Sequence, residues 1–250
     1  MSIAYKTADL IRAARGKKRP HTSAIIVAAG NSTRMGGSVS KQFLTLNGVP
    51  VLAHTLLAFQ KTKEIDEIVV VARTEDIGAV STLAAEYGIA KLAAVVSGGA
   101  TREASVKNGF LHVHHLTKFV AIHDGARCLI TPDMIERVLH AARRHKAATA
   151  AATVHDTVKV ANRRGFIAKT VDRSTVYLAT TPQVFSANLY RAALETVKGA
   201  ELLTDDNQLI EKLPFPVKLV DCGKDNIKIT EPRDLRLATL ILEEREGPLA

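Results

Sequence analysis

The chain has 250 residues, of which 46% are hydrophobic and 24% are charged. This length and composition are typical of a folded protein with one sizeable core, and they exclude disorder for the bulk of the chain. No apolar run reaches the ~18 residues of a membrane-spanning helix, so the sequence predicts no membrane partner. The net charge of +9 is concentrated in residues 1–20, which carry six basic side chains and one acidic side chain. With 4% aromatic residues and no Trp, the rest of the chain does not favour a nucleic-acid partner.

The basic segment of residues 1–20 is expected to form a flexible leader, and residues 21–250 are expected to form a single domain. We expect the leader to be dispensable for the chemistry of the domain, because its charge lies outside the first predicted strand. The two cysteines, Cys128 and Cys222, match neither a zinc-binding spacing nor a disulfide framework, which favours a cytoplasmic location.

From Ser23 onward, short β-branched runs alternate with helical segments, which is typical of an α/β fold with a mostly parallel sheet and flanking helices. The predicted strands are Ala24–Val27, Ile68–Val71, Ala94–Val96, Phe119–Ile122, Thr149–Val154 and Val217–Val220. The predicted helices are Val51–Gln60, Ile77–Tyr87, Arg102–His114, Met134–His145 and Leu189–Val197. Thr131, Pro132 and Asp133 together indicate a helix start, with a capping side chain, a first-turn proline and an acid at the positive end of the dipole.

Residues 155–184 break this alternation. Strand-like segments flank the turn sequence Asn-Arg-Arg-Gly at residues 162–165, and no helical period is long enough for a crossover. This pattern predicts a β-arm that projects from the main sheet, and we expect the arm to serve in oligomerisation.

A loop of small residues follows the first predicted strand and carries two cations, Arg34 and Lys41. Open α/β sheets bind ligands at the carboxyl ends of their strands, where backbone N–H groups can hold phosphates. The glycine spacing matches neither the dinucleotide-binding GxGxxG pattern nor the P-loop. Two interpretations therefore stay open in equal measure: a polyphosphate site, or a surface loop whose cations are solvated.

Two further segments bring charged residues toward the same predicted edge. Asp124 follows an apolar strand and could hold a ribose hydroxyl or Mg²⁺, while Arg127 could contact phosphates or fix Asp124. Lys228 is predicted in an edge strand before a helix that starts near Pro232. Taken alone, each segment is read more simply as a loop ion pair or a solvated lysine. His123 is interpreted as a packed residue rather than a base.

Taken together and in order, these segments resemble the 2-C-methyl-D-erythritol 4-phosphate cytidylyltransferase family of isoprenoid biosynthesis. The matching segments are AAGNSTRMGGSVSKQF, SGGATREASV, VAIHDGAR, HDTVK, VDR, TTPQVF and DNIKIT. The resemblance implies a Rossmann-like α/β domain whose β-arm builds a homodimer. It also implies an enzyme that joins CTP to 2-C-methyl-D-erythritol 4-phosphate in the presence of Mg²⁺ and releases pyrophosphate.

The resemblance also assigns roles to individual residues. It implies that Arg34 and Lys41 stabilise charge on the α-phosphate in the transition state. The attacking phosphate would be held by Arg173, Lys228, Thr157 and Thr181. The residues implied in nucleotide binding are Ala28, Ala29, Gly30, Gly98, Gly99, Ser105 and Asp124, of which Asp124 would face the ribose or the metal.

Two positions depart from the family pattern. Ala100 stands where an acidic residue is usual beside the base, and Cys128 stands where a proline usually follows the arginine. Two alternatives stay open: a ribitol 5-phosphate cytidylyltransferase with the same fold and chemistry, and a catalytically inactive nucleotide-binding regulator. The VDR segment favours the erythritol acceptor. The joint presence of Arg34, Lys41, Arg173 and Lys228 argues against the regulator.

Overall fold

The computed structural model describes residues 19–30, 40–197 and 203–246 of the chain. Arg34 and most of the predicted leader lie outside these residues. The strands are β1 (Thr22–Val27), β2 (Thr45–Leu46), β3 (Val49–Pro50), β4 (Glu67–Ala72), β5 (Leu92–Ser97), β6 (Phe119–Asp124), β7 (Ala147–Thr153), β8 (Lys159–Ala161), β9 (Ile167–Thr170), β10 (Tyr177–Ser186) and β11 (Lys218–Asp221). The helices are α1 (Val51–Lys61), α2 (Ile77–Glu86), α3 (Arg102–Phe110), α4 (Pro132–His145), α5 (Ala187–Thr196), α6 (Asp206–Glu211) and α7 (Pro232–Glu246).

A seven-stranded sheet in the order β11-β7-β10-β6-β1-β4-β5 forms the centre of the fold. Neighbouring strands run parallel except at β10, which is antiparallel to both β6 and β7. The prediction of a mostly parallel sheet with flanking helices is therefore confirmed. In the register of the two central strands, Val27 lies opposite Asp124, so β1 and β6 end at the same edge.

Successive residues of β1 face opposite sides of the sheet, because side chains alternate along a strand. Ala24 and Ile26 pack against α1, α2 and α4, whereas Ile25 packs against α3, α5 and α6. All three are fully buried. Burial on both faces explains why the strands read as continuous apolar runs. Helix α7 forms a third, smaller cluster with two separate segments, one containing Cys128 and the other containing Ile229.

Helix α4 begins where the sequence predicts. The Thr131 hydroxyl accepts a hydrogen bond from the Met134 backbone N–H at 3.3 Å, and Pro132 is the first helical residue. The helix ends at Lys146, which has a left-handed backbone with φ of 70° and donates its N–H to the Ala142 carbonyl. Capping at both ends therefore fixes the helix that supports β7.

The β-arm is shorter than the predicted span of residues 155–184. Strand β10 starts at Tyr177 and lies in the main sheet, where Gln183 is opposite Ile122 of β6. The part outside the sheet contains the β8–β9 hairpin, in which Lys159 is opposite Thr170. Exposed strand residues and core strand residues look alike in a short apolar run, so the sequence does not mark the point where the arm rejoins the sheet.

Lys228 also differs from its prediction, since it lies in an irregular segment rather than an edge strand. The two edge strands of the sheet are β5 and β11, of which β11 pairs in parallel with β7. Within the residues described, no helix combines the length and the apolar character needed to cross a bilayer.

Candidate active site

A cleft of about 390 Å³ opens at the carboxyl ends of β1, β5 and β6. This edge is where open α/β sheets bind ligands. Most of the predicted site residues in the described chain line the cleft, and they arrive from four separate stretches of sequence. They are Ala29, Gly30, Lys41, Gly99, Ser105, Asp124 and Lys228. Ala28 and Gly98 lie directly behind this lining, where Ala28 donates its N–H to Val71 and Gly98 donates its N–H to Ala72.

Asp124 forms the charged centre of the cleft. Its Oδ2 lies 2.9 Å from Lys228 Nζ and 3.4 Å from Arg127 Nε, and its Oδ1 lies 3.5 Å from Arg102 Nε. Burial alone would raise the pKa of Asp124, but the positive charges of Lys228, Arg102 and Arg127 outweigh it and hold the pKa well below the usual range. The carboxylate is therefore ionised at neutral pH.

A buried hydrogen-bond chain supports Asp124 from behind. The backbone N–H of Asp124 donates to the Thr181 hydroxyl at 3.1 Å, and that hydroxyl lies 2.9 Å from His123 Nδ1. His123 Nε2 lies 3.2 Å from the Arg127 carbonyl, which can only accept, so Nε2 carries the proton. Nδ1 then accepts from Thr181.

This arrangement requires a neutral His123. Burial lowers the pKa of His123 to about 4, since a charged imidazole would lose its hydration in this core. The ring is fully buried and tilted against Phe59, with centroids 5.1 Å apart. The interpretation of His123 as a packed residue is confirmed.

Thr181 is also committed to this chain. It is 3% exposed and lies behind Asp124 rather than in the cleft lining. Its carbonyl accepts from Asn226 Nδ2 at 2.7 Å, and the Asn226 carbonyl in turn accepts from Arg127. In the structure Thr181 therefore positions the backbone of Asp124, and its predicted contact with the substrate phosphate stays a prediction.

Glycines 98 and 99 allow a tight backbone wall on the other side of the cleft. A Cβ on Gly98 would lie 2.4 Å from the Cβ of Ala29, and a Cβ on Gly99 would lie 2.5 Å from the Cβ of Ala104. Either distance is a clash, so no other residue fits without movement of the wall. The Gly99 N–H donates to the Ser105 hydroxyl at 3.0 Å, and that hydroxyl donates to the Thr101 carbonyl at 2.9 Å.

The two lysines of the cleft come from segments that are joined directly. Lys41 Nζ donates to the carbonyl of Ile229 at 3.0 Å, and Ile229 follows Lys228 by one residue. The side chain of Lys228 is 38% exposed, so a ligand can reach its ammonium group. A set of two ammonium groups, a carboxylate and nearby backbone N–H groups is typical of a binding site for a phosphorylated ligand.

Comparison with known proteins identifies the family. The sequence model of the 2-C-methyl-D-erythritol 4-phosphate cytidylyltransferase family matches residues 22–244. The chain belongs to this family. It is 42% identical to the cytidylyltransferase of that name from Pelotomaculum thermopropionicum over 233 residues, which cover 91% of this chain and 97% of the relative. It is 40% identical to the one from Syntrophus aciditrophicus, over 92% and 99% of the two chains.

Solved structures agree with this assignment. The crystal structure of 4-diphosphocytidyl-2C-methyl-D-erythritol synthase from Anaerococcus prevotii superposes with a TM-score of 0.79 at 32% identity, covering 89% of this chain and 98% of that chain. The 2-C-methyl-D-erythritol 4-phosphate cytidylyltransferase from Thermus thermophilus superposes with a TM-score of 0.69 at 32% identity, covering 88% and 98%. The family's fold is therefore the fold of this chain.

Two predicted site residues lie on the arm and do not line the cleft of their own chain. Thr157 is exposed, and Arg173 opens a short 3₁₀ turn, Arg173–Thr175. Arg173 donates from Nη1 to the carbonyl of His155, which keeps its guanidinium on the arm. Arg34, the other predicted catalytic cation, lies outside the described residues.

Arg102 is a cleft residue that is not among the predicted site residues. This arginine lines the cleft as the first residue of α3 and bridges Asp124 and Asp206. Burial would lower the pKa of Arg102, but the two carboxylates outweigh it and raise the pKa above its ordinary value. A local signal did exist, since Thr101 caps α3 by accepting from the Ala104 N–H, which places Arg102 at the cleft end of the helix.

Cys128, in contrast, is buried and its pKa is raised to about 12 by burial, which makes it a packing residue.

Proposed function

We propose that the protein transfers a cytidylyl group from CTP to 2-C-methyl-D-erythritol 4-phosphate and releases pyrophosphate. The observation that carries this proposal is the convergence of Lys41, Lys228 and Asp124 with the glycine wall in one cleft, in a chain of this family. The cleft combines cations for phosphates with close backbone for a nucleotide, and a polyol phosphate brings a second anion to the same place.

The reaction is an in-line displacement. An oxygen of the acceptor phosphate forms a bond to the α-phosphorus of CTP, and the bond from that phosphorus to the bridging oxygen breaks, so pyrophosphate leaves with the electron pair. Negative charge grows on the α-phosphate oxygens, and Lys41 stabilises it together with Arg34. Lys228 holds the attacking phosphate. The nucleophile is already an anion and needs no base, and His123 takes no part because both of its ring nitrogens are engaged.

Nucleotide recognition rests on the opposite wall. The backbone of Ala29 and Gly30 faces the phosphates, with Ala28 directly behind them, while Gly99 and Ser105 contact the cytosine, with Gly98 directly behind them. No side chain fits between Gly98 and Ala29, and we expect this tight wall to disfavour the larger purine bases. Ala100 leaves the base to be recognised by backbone groups at this position, and Asp124 faces the ribose or a metal.

Mg²⁺ is the proposed cofactor, with Asp124 as its protein ligand. Magnesium usually binds one or two carboxylates together with substrate phosphates. The described residues contain no group of three or more His, Cys, Asp or Glu side chains that could hold a metal. Asp124 is the one carboxylate among the described residues that line the cleft, so it would hold the ion, which would supply positive charge to the triphosphate.

The proposed assembly is a homodimer built through the arm. Support comes from the apolar side chains that the arm and the start of β10 expose, namely Val160, Phe166, Ile167 and Leu178. In this assembly Arg173 and Thr157 of each arm contact the acceptor phosphate in the partner's cleft. Cytoplasmic location is proposed because Cys128 and Cys222 are both buried free thiols.

The deciding experiment measures pyrophosphate release from CTP with 2-C-methyl-D-erythritol 4-phosphate, with ribitol 5-phosphate and with no acceptor. We expect release with the first acceptor and little with the other two. Faster release with ribitol 5-phosphate would instead identify ribitol 5-phosphate as the acceptor. Binding of CTP without release under any of the three conditions would instead identify a non-catalytic regulator.

A further inference from the structure

A buried ion pair joins the cleft to a distant part of the chain. Arg102 Nη1 donates to Asp206 Oδ2 at 2.6 Å, although the two residues are 104 positions apart in sequence. Arg102 lines the cleft, whereas Asp206 is 4% exposed and is not part of the lining. Asp206 opens the six-residue helix α6. Its carboxylate therefore reaches the cleft through Arg102.

Asp206 is itself held in a fixed position. Its Oδ1 accepts from the Tyr190 hydroxyl at 2.6 Å, and its backbone N–H donates to Gln183 Oε1 at 2.8 Å. Tyr190 is fully buried, with its ring 5.1 Å from that of Phe110 and 5.6 Å from that of Phe185. Both carboxylate oxygens are thus used, and the side chain cannot turn without breaking one of these hydrogen bonds.

The guanidinium of Arg102 is bracketed by two carboxylates. Nη1 contacts Asp206, and Nε lies 3.5 Å from Asp124 Oδ1. An arginine carries five N–H donors, and the contacts to these two carboxylates among the described residues use Nη1 and Nε, so the donors on Nη2 are the ones we expect to meet an oxygen of the nucleotide. A long side chain that is fixed before the ligand arrives loses less conformational freedom on binding. Without Asp206, Arg102 would turn toward Asp124, whose carboxylate Lys228 and Arg127 already contact.

We propose that Asp206 is a positioning residue that holds the Arg102 guanidinium in the cleft in the orientation that binds CTP. This inference rests on the proposed function in one respect, because it takes CTP as the ligand. It assigns to α6 and to Tyr190 a part in nucleotide affinity, although neither lines the cleft.

The test compares two buried aspartates. Asp66 is a matched control, because it also binds an arginine, Arg19, at 2.6 Å with a side chain 5% exposed, but it belongs to the loop that precedes β4, at the opposite edge of the sheet. We expect Asp206→Asn to raise the Kd for CTP, measured by calorimetry without acceptor, about tenfold, while kcat at saturating CTP stays within about threefold. Asp66→Asn should lower the melting temperature without changing the Kd. An unchanged Kd in Asp206→Asn would overturn the inference.

A second comparison separates positioning from a purely structural role. In a chain that already carries Arg102→Met, Asp206→Asn should change the Kd for CTP by less than about twofold, because its effect passes through Arg102. A further tenfold loss in that background would overturn the proposal. If Asp206→Asn does not fold, Tyr190→Phe removes the hydroxyl that fixes Oδ1 and should raise the Kd about threefold, and no change would overturn the inference equally. Wild-type protein that binds no CTP would instead contradict the proposed function.

Discussion

Asp124 in the cleft is contacted by Lys228, Arg102 and Arg127 of its own chain, whereas Arg173 on the arm donates to the carbonyl of His155, away from the cleft. The apolar residues differ in the same way. Core residues around the cleft are buried on both faces of the sheet, while Phe166 and Ile167 of the arm are 68% and 67% exposed. The cleft is therefore organised within one chain, whereas the arm exposes apolar side chains, which is what the proposed homodimer requires.

The largest expected effect is on the cleft itself. Lys41→Ala should lower kcat by about 10²-fold or more with a smaller change in CTP affinity, because its charge interacts most strongly with the transition state. Lys41→Arg should rescue activity poorly, since a planar guanidinium does not replace a point charge. Steady-state kinetics with the proposed substrates measure both effects. Near-normal turnover of the alanine variant would remove Lys41 from the catalytic residues.

A mixing experiment tests whether the arm acts on a partner's cleft. Lys41→Ala and Arg173→Ala homodimers should each be nearly inactive. In a mixed dimer one cleft carries both changes and the other carries neither. With random pairing, half of the dimers are mixed and half of their clefts are intact, so activity should recover to about a quarter of wild type.

Exchange of subunits must be shown independently, for example with two distinguishable tags. If exchange is complete and no activity returns, Arg173 acts within its own chain or not at all. Mixed wild-type and Arg173→Ala protein provides the reference for the activity of a single intact cleft.

The difference between the two regions also explains what the sequence could predict. Each predicted core strand overlaps an observed one, because a run such as Ile68–Val71 is buried on both faces and carries that property locally. The cleft residues at the ends of β1 and β6 are predictable for the same reason, since a buried strand fixes the place of its last residue and of those that follow.

Long-range pairing has no such local signature. The insertion of β10 between β6 and β7, and the ion pair of Arg102 with Asp206, depend on segments far apart in sequence. Thr181 illustrates the same limit, because a buried threonine that holds a backbone N–H and a threonine that faces a ligand look alike in sequence.

The burial of His123 behind the cleft should make the stability of the protein depend on pH. Unfolded His123 takes up a proton below its ordinary pKa of 6.5, whereas the folded protein does so only near the lowered pKa of about 4. Stability contributed by the neutral ring is therefore complete above pH 6.5 and is lost as pH falls from about 6.5 to about 4, by about 3 kcal/mol.

Urea unfolding at a series of pH values measures this effect. The free energy of unfolding of His123→Gln should fall less steeply between pH 6.5 and 4 than that of wild type. His155→Gln, which changes an exposed histidine on the arm, should keep the wild-type slope. Parallel curves for wild type and His123→Gln would show that burial of His123 does not govern this part of the pH dependence.

The smallest expected effect concerns the boundary between the leader and the domain. Arg19 donates to both oxygens of Asp66, at 3.0 Å and 2.6 Å, and to the carbonyl of Glu64 at 3.0 Å. A chain that begins at Arg19 keeps these contacts, whereas a chain that begins at His21 loses them and leaves the buried Asp66 carboxylate without its arginine. We expect the shorter chain to fold with a free energy of unfolding lower by about 1 to 2 kcal/mol, because a charged hydrogen-bond pair is removed.

Activity should be equal in both chains, since Asp66 is absent from the cleft lining. A fall in kcat on removal of residues 1–18 alone would show that the leader contributes to the reaction, and equal stability of the two chains would show that the Arg19 contacts contribute nothing to the fold.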